Sequence, residues 1–502
     1  SEKEKWLVGD FEIGKLTDYA KGFVVANLED HKCLETSITT IDGINVLEVP
    51  SSFIPKTINI PLTELLENTG ASAIARVQDR YYLTDSSLID GILVDEDEDG
   101  SAEVKVVEQT NKDLEAVEVE PDQIVTRSKL LSDLRVKIGS DVKHGEAVYW
   151  EYGNTALPNR HLIIFGRSGQ GKTYCIQGLL MDMAKNKINS SVIDYTNGFL
   201  PDHLESEFLE NVSPKTDLVK HKPLSLDPFK KQTQNISGMS ISDSDYDVAT
   251  RISSVFNSVY STIGEQQIAT LIRVMEEGVG LFGGDYNFEK MLLDLTNADK
   301  TGEALANKLL PMVKANIFSC VDGANGWDEI YKSDKSRTRL IQLAGLSSDV
   351  WKLATEFILW DLYSYACANG SKYVPLPMVL DEVQNLDHSL ESPLGKMLTE
   401  GRKYGLSLIL ATQTLSNLKK DEQDRLFQAS HKLFFAPAET EIKKYAEILE
   451  VTVKGSSRQD WIDVLSALRK GQCLSVGYHL NGDTLELSVK KVDVSSLDSR
   501  LG

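Results

Sequence analysis

The sequence predicts an α/β protein built on a doubly wound parallel sheet, with helical insertions and a smaller β-rich module before it. Three observations predict this class. From about residue 159 onward, short apolar runs alternate with stretches of helical spacing, as in parallel strands joined by helices. A glycine-rich turn separates the first of these runs from the first helix. The 502 residues are 41% hydrophobic, and at roughly 100 to 200 residues per domain they suffice for more than one core.

The region before this pattern predicts a separate module. Residues 1–94 contain short β-rich runs and one helix-like stretch at 61–67, without a chemical signature, which predicts a β-rich or α/β module of unassigned role. The run Asp95–Asp99 is wholly acidic, and adjacent like charges resist burial together, so it marks a break. Residues 95–135 are therefore predicted to be an acidic linker, with edge strands at 102–107 and 116–119.

The main domain is predicted to span residues 136–488, with a helical insertion at about 240–330 and a tail at 489–502. Residues 200–240 contain four prolines, which favours an irregular segment there. The predicted strands are 136–139, 145–150, 161–165, 191–195, 339–344, 378–382 and 406–412. The predicted helices are 174–184, 247–278, 288–316 and 350–368.

Composition excludes several classes of protein. The net charge of −22, most of it in the first 160 residues, excludes a general basic coat for nucleic acid but leaves room for a local basic channel. The five cysteines never form a CxxC pair, which argues against a disulfide framework or a zinc cluster and predicts a reducing, cytoplasmic location. The sequence contains no run of about 18 apolar residues, which is the length that would predict a membrane-spanning helix. The chain begins with serine, as expected of a fragment or a processed chain.

The glycine-rich turn carries the strongest chemical signal. Residues 166–173 read Gly-Arg-Ser-Gly-Gln-Gly-Lys-Thr and match the phosphate-binding loop pattern between a strand and a helix. Glycines let successive N–H groups point at phosphate oxygens, and the helix N-terminus adds partial positive charge. Lys172 is predicted to reach the β and γ phosphates of ATP, and Thr173 to bind Mg²⁺. The predicted nucleotide-binding residues are Gly166, Arg167, Ser168, Gly169, Gln170, Gly171, Lys172, Thr173 and Tyr174.

An acidic pair at the end of a later apolar run predicts the second half of the site. Asp381 and Glu382 directly follow Met378–Leu380. Mg²⁺ needs a carboxylate near its threonine ligand, and hydrolysis needs a positioned water. Asp381 is predicted to hold Mg²⁺ through its water shell, and Glu382 to orient and deprotonate the attacking water.

Four segments, in order, resemble the motifs of the HerA/FtsK superfamily of ring-forming DNA-pumping ATPases. They are the phosphate loop, Leu-Asp-Glu-Val-Gln-Asn-Leu at 380–386, Glu-Gly-Arg-Lys-Tyr-Gly-Leu at 400–406, and Ile-Leu-Ala-Thr-Gln at 409–413. The resemblance covers about residues 136–480. The segments 147–150, 159–162, 169–177 and 193–200 are most similar to the HerA-like helicase component, DptH or DndH, of DNA-phosphorothioation-dependent restriction systems.

The resemblance implies a RecA-like fold, ATP and Mg²⁺ as cofactors, a homo-oligomeric and usually hexameric ring, and translocation on double-stranded DNA. It implies a prokaryotic defence complex in which a partner nuclease or another subunit supplies cleavage. Arg402 becomes the candidate arginine finger, acting in a neighbouring subunit, and Gln413 the sensor of the γ-phosphate. Two departures stand out. Many HerA proteins carry Ala-His where this chain has Val383-Gln384, and the first 130 residues do not match the small barrel of simple HerA proteins.

Several residues keep two interpretations. Asp194 either orders water near Mg²⁺ or caps a loop. Arg402 is otherwise a surface arginine, and Gln413 otherwise a polar cap at a strand end. The lysine-rich clusters 220–222, 230–231 and 419–420 either line a DNA pore or are solvated loops.

Alternative functions also remain open at this point. A regulatory or scaffold subunit would bind nucleotide and assemble a nuclease effector without moving on DNA. A conjugative or packaging motor of the same superfamily would favour a membrane segment or a nuclease domain, and these residues predict neither.

Overall fold

The computed structural model describes residues 134–500, except 237–238, 261, 320–325, 333–337, 454–455 and 483, together with the backbone of six strands between residues 23 and 84. The chain divides into two compact units. One comprises residues 1–129 with 235–241, and the other residues 130–234 with 242–502.

The six strands described between residues 23 and 84 form two antiparallel sheets in the first unit. β1 (Phe23–Ala26) pairs with β2 (Cys33–Thr36), and the second sheet has the order β3-β4-β6-β5. The predicted helix at 61–67 and the predicted edge strands at 102–107 and 116–119 lie outside the described residues. The strands of the second sheet are β3 (Ile38–Ile41), β4 (Ile44–Pro50), β5 (Ala73–Val77) and β6 (Arg80–Thr84).

The second unit is dominated by an 11-stranded sheet in the order β11-β14-β10-β15-β16-β9-β17-β18-β19-β7-β8. From β11 to β17 the strands run parallel, and the pairs from β17 to β8 are antiparallel. Its strands are β7 (Val136–Asp141), β8 (Ala147–Trp150), β9 (Leu162–Phe165), β10 (Ser190–Asp194), β11 (Lys215–Leu218), β14 (Thr338–Gln342), β15 (Leu376–Leu380), β16 (Leu406–Thr412), β17 (His431–Phe435), β18 (Gln472–Asn481) and β19 (Thr484–Val494). A separate two-stranded sheet consists of β12 (Thr233–Ile236) and β13 (Met239–Ser242), and most of its residues belong to the first unit.

Helices cover both faces of the parallel strands. In β9, Ile163 and Phe165 belong to one apolar cluster, and Leu162 and Ile164 belong to the other. Burial on both faces explains why this strand reads as a continuous apolar run rather than an alternating one. The helices are α1 (Lys172–Lys185), α2 (Ser206–Val212), α3 (Asp245–Val259), α4 (Glu265–Phe282), α5 (Phe288–Ala298), α6 (Lys300–Ala315), α7 (Gly326–Tyr331), α8 (Ser348–Asn369), α9 (Pro393–Glu400), α10 (Lys420–Leu426), α11 (Glu439–Thr452) and α12 (Arg458–Ser466). Among the residues described, no helix combines the length and the apolar run required to cross a membrane.

The structure differs from the sequence expectation in three places. Each of the two long predicted helices is a pair, because Gly264 starts α4 and the Asp299 side chain caps α6 by accepting from Gly302 N at 2.8 Å. The proline-containing segment 200–240 is partly regular, since it contributes β11, the outermost strand on one side of the 11-stranded sheet. The sheet also extends beyond residue 488, because β19 runs to Val494.

Candidate nucleotide-binding site

The predicted site residues gather where the parallel strands end. β16 lies between β15 and β9, and Thr412 at its end pairs with Phe165 at the end of β9. The phosphate loop follows β9, the acidic pair follows β15 and Gln413 follows β16. In open α/β sheets, ligands bind outside the carboxyl ends of the strands, beside the point where the strand order reverses.

The phosphate loop is shaped by glycines with positive φ angles. Gly166 has φ 149° and Gly171 has φ 104°. A Cβ atom on Gly166 would lie 2.6 Å from the Cβ of Phe435, so only glycine fits between this loop and β17. Gln170 is fixed from outside, because its carbonyl accepts from Gly471 N at 3.1 Å. Gly171 is the residue before α1, so the first N–H groups of this helix face the loop.

Lys172 is buried at the base of the loop, with 6% of its surface exposed. Its ammonium group donates to Gly166 O at 2.7 Å. Burial lowers the pKa of Lys172, while the charges of Asp381 and Glu382 act in the opposite direction. The lysine thus lies between the phosphate loop and the acidic pair, where a phosphate would meet it.

Thr173 and Asp381 lie close to the same point in space. A Cβ atom placed on Gly198 would be 4.0 Å from Thr173 Oγ1 and 3.9 Å from Asp381 Oδ2. A hydroxyl and a carboxylate are the oxygen donors expected beside a Mg²⁺ ion that keeps water ligands. The small residue leaves this space open, and the two predicted metal-binding side chains therefore fit the ion.

Asp381 is a buried carboxyl group, with 8% of its surface exposed. Burial, helped by the adjacent charge of Glu382, raises the pKa of Asp381 to about 6, and Lys172 opposes the rise. Among the described residues, no cluster of three or more His, Cys, Asp or Glu side chains forms a metal site by itself. A cation here would need phosphate oxygens or water to complete its coordination.

Glu382 and Gln413 are in direct contact. The Nε2 amide group of Gln413 donates to Glu382 Oε1, and that of Gln384 donates to Glu382 Oε2. The predicted base and the predicted sensor are therefore neighbours, although 30 residues separate them in the sequence. Gln384, by contrast, follows Glu382 by only two positions.

The loop after Gln413 is anchored to α11. The buried carboxylate of Glu441 accepts from Thr414 Oγ1 at 2.7 Å and from Leu415 N at 3.1 Å. Lys444 Nζ donates to Leu415 O at 3.0 Å. Sequence reasoning missed these residues, since a lone glutamate and a lone lysine on a helix give no signal of a loop anchor.

The hydrogen-bonding capacity of Asp194 is filled by its own loop and by Gln342 at the end of β14. Its Oδ1 accepts from Thr196 N and Thr196 Oγ1, both at 2.9 Å, while its Oδ2 accepts from Phe199 N at 2.8 Å and Gln342 Nε2 at 2.6 Å. Four hydrogen bonds fill the acceptor capacity of a carboxylate. This geometry favours the loop-capping interpretation of Asp194.

Arg402 lies at the opposite edge of the sheet from Gln413. It is exposed in the turn Gly401–Tyr404, directly before β16. At about 3.3 Å per residue, β16 separates Arg402 from Gln413 by roughly 20 Å. Burial lowers the pKa of Arg160, and the nearby charge of Arg402 lowers it further, so two guanidinium groups lie together at this edge. Within one chain, Arg402 is out of reach of the phosphate loop.

The remaining candidates are partly engaged within the chain. The Tyr174 hydroxyl accepts from Leu497 N at 3.0 Å, which ties α1 to the C-terminal segment. Lys220 Nζ donates to Gly345 O at 3.1 Å, and Lys231 pairs with Asp245 at 2.8 Å. Lys419 and Lys420 are exposed at the start of α10.

Comparison with known proteins gives matches at the level of structure. No protein-family profile matches the sequence, and no curated protein matches it. VirB4 of Thermoanaerobacter pseudethanolicus superposes with a TM-score of 0.53 at 14% identity, over 72% of this chain and 96% of that one. The fold is that of a P-loop ATPase. This likeness confirms the predicted α/β class.

Two further solved structures share less of the geometry. The plasmid coupling protein TrwB, in complex with the ATP analogue ADPNP, has a TM-score of 0.47 at 14% identity, over 74% of this chain and 92% of that one. The genome packaging NTPase B204 from Sulfolobus turreted icosahedral virus 2, in complex with AMPPCP, has a TM-score of 0.30 at 11% identity, over 67% of this chain and 98% of that one.

Proposed function

We propose that this chain is a Mg²⁺-dependent ATPase that forms a hexameric ring and uses hydrolysis to move along double-stranded DNA. The observation that carries the proposal is the meeting of Lys172 and Thr173 with Asp381, Glu382 and Gln413 at one edge of the sheet. These residues come from three separate strand ends, and together they match the parts that phosphoryl transfer to water requires.

Each residue has a task in that chemistry. The N–H groups of the loop and Lys172 bind the β and γ phosphates. Mg²⁺, when held beside Thr173 and Asp381, neutralises charge on the phosphates. Glu382 orients the attacking water and accepts its proton. Gln413 senses the γ-phosphate by hydrogen bonding.

A ring gives Arg402 a task that it lacks within one chain. Its exposed guanidinium group, at the far edge of the sheet from its own phosphate loop, is free to enter the site of a neighbouring subunit. There it would stabilise charge on the transferred phosphoryl group. Coupling hydrolysis to assembly in this way favours a closed ring over an isolated subunit.

The biological setting follows from the sequence resemblance. We place the ATPase in a DNA-modification-dependent restriction system of a prokaryotic cell, with cytoplasmic partners that include a nuclease. The alternative is a scaffold subunit that binds ATP and assembles the effector without moving on DNA. The net charge of −22 favours this alternative. In a chain this acidic, DNA contact depends on a few local lysines such as Lys419 and Lys420.

Two substitutions test the site. Lys172→Ala and Glu382→Gln should each abolish ATP hydrolysis, and the Glu382→Gln protein should still bind ATP. Lys185→Ala, at the exposed end of the same helix, is the matched control and should hydrolyse ATP normally. Normal turnover by either site variant contradicts the assignment.

Mixing two inactive variants tests the ring. Arg402→Ala keeps its own Glu382, and Glu382→Gln keeps its own Arg402. In rings mixed at equal amounts, about a quarter of the interfaces combine an intact glutamate with an intact arginine, so about a quarter of the activity should return. No recovery, although both proteins enter one ring by mass measurement, argues against a role in trans.

Adding duplex DNA distinguishes a translocase from a scaffold subunit. A translocase should hydrolyse ATP faster when duplex DNA is added, and it should displace a protein bound to that DNA. A scaffold should show neither effect while still binding ATP.

A further inference from the structure

The backbone of Glu382 is held in an unusual conformation. It has φ 55° and ψ 41°, in the left-handed region that residues with a side chain rarely adopt. Three hydrogen bonds hold it there: its N–H donates to Asp381 Oδ1 at 2.8 Å, and its carbonyl accepts from the Tyr195 hydroxyl at 2.9 Å and from Asn385 N at 3.1 Å. Such conformations persist only where the surroundings fix them, and they are frequent at functional sites.

The carboxylate of Glu382 is held from two sides by glutamines. Gln413 donates to Oε1 and Gln384 donates to Oε2. The two glutamines are anchored differently. Gln413 begins a loop after a strand, whereas the amide oxygen of Gln384 accepts from the hydroxyl of the fully buried Thr412 at 2.6 Å.

Chemistry dictates how the Gln384 amide is oriented. A hydroxyl can supply a proton to its oxygen, and a carboxylate can accept only from its NH₂ group. Turning the amide over would place its oxygen against a carboxylate oxygen of Glu382, and neither oxygen could donate a hydrogen bond to the other. Strand β16 therefore fixes Gln384, and Gln384 in turn fixes Glu382.

We propose that Gln384 is a positioning residue for Glu382 in ATP hydrolysis, an inference that rests on the proposed function. When Gln413 turns to a γ-phosphate, it leaves Glu382 Oε1 free for the attacking water. Gln384 is then the glutamine that still holds the carboxylate, through Oε2. The glutamine that replaces the family histidine thus keeps the base in place during the step that needs it.

The test is the substitution Gln384→Met, which keeps the length of the side chain and removes its hydrogen bonds. A misplacement of about 1 Å can cost about 100-fold in rate, so kcat for ATP should fall about 10- to 100-fold. The KM and the affinity for a non-hydrolysable ATP analogue should stay within about twofold, since Gln384 acts through the base and not on the nucleotide. Retained analogue affinity also shows that the variant is folded.

Gln384→His is the conservative rescue. A neutral imidazole has one donor and one acceptor on different sides of the ring, so it can replace both contacts of the amide. It should restore most of kcat. A histidine variant as slow as the methionine variant would argue that packing at this position, and not hydrogen bonding, matters.

A double variant separates positioning from an independent role. In the Glu382→Gln background, adding Gln384→Met should cause no further loss of the residual rate, because the positioned group is already absent. A further large loss, or a wild-type kcat for Gln384→Met alone, overturns this inference. If instead the unmodified protein hydrolyses no ATP, or Glu382→Gln retains full activity, the proposed function itself fails.

Discussion

Glu356 should make the stability of this protein depend on pH in a way that one substitution removes. The side chain lies on α8 with 2% of its surface exposed, and its Oε1 accepts from Asp387 N at 3.0 Å, just beyond the acidic pair. Burial raises the pKa of Glu356 to about 8, against an ordinary value of 4.5, although the hydrogen bond from Asp387 opposes the rise.

The expected size follows from these two values. Between about pH 4.5 and pH 8 the unfolded chain has lost a proton that the folded chain keeps, so a rise in pH favours unfolding. At 1.36 kcal/mol per pH unit, the free energy of unfolding falls by roughly 5 kcal/mol over this range and then levels off. Glu356→Gln has no proton to lose. Over this pH range, the free energy of unfolding of the variant should therefore rise relative to that of the unmodified protein by about 1.4 kcal/mol for each pH unit.

The assay is urea unfolding of both proteins at several pH values between 5 and 9, with the difference in unfolding free energy as the readout. The slope of this difference against pH is the informative quantity. Its value at any one pH is less informative, because the buried glutamine NH₂ group adds a constant cost of about 1–3 kcal/mol. Glu276→Gln, on the exposed face of α4, is the matched control and should leave the slope unchanged. Parallel stability curves for Glu356→Gln and the unmodified protein would refute the reasoning.

Three further predictions concern the site and its support. Because the pKa of Asp381 is raised to about 6, ATP hydrolysis should fall as the pH drops through 6, and added Mg²⁺ should shift the fall to lower pH; steady-state rates that stay constant down to about pH 5 contradict this. Gly166→Ala would bring a Cβ to 2.6 Å from Phe435, so binding of a fluorescent ATP analogue should be lost, whereas Gly284→Ala, outside the phosphate loop and with no atom within 4 Å of the added Cβ, should still bind. Arg500→Met would remove the ion-pair partner of Asp182, now at 2.7 Å, and should lower the free energy of unfolding by about 3 kcal/mol in urea unfolding; an unchanged midpoint would show that the pair contributes nothing.

Local patterns predict which residues lie together at the carboxyl ends of the parallel strands. Lys172, Asp381 and Gln413 each follow an apolar strand within a few residues, and the carboxyl ends of parallel strands share one edge of a sheet. Motif and topology together therefore place them side by side. The position of Arg402 at the other edge also follows from its place before a strand, and that place explains why it does not contact its own phosphate loop.

Long-range contacts are what the sequence does not reveal. Nothing near Glu441 marks it as the anchor of a loop that lies 25 residues earlier. The same holds for Gln384, whose amide contacts depend on the register between β15 and β16. The continuous helical periodicity over 288–316 hides the break at Asp299, because both helices bury their apolar residues in the same core.

Strand β16 would have a mechanical consequence in the proposed ring. One of its ends would contact Gln413, the proposed sensor of its own γ-phosphate, and the other would present Arg402 to the next subunit. A fully buried strand, bonded on both sides, bends little over seven residues. Loss of a phosphate at one interface would therefore displace Arg402 at the next interface. In a circular assembly, this transmission would allow the subunits to hydrolyse ATP one after another.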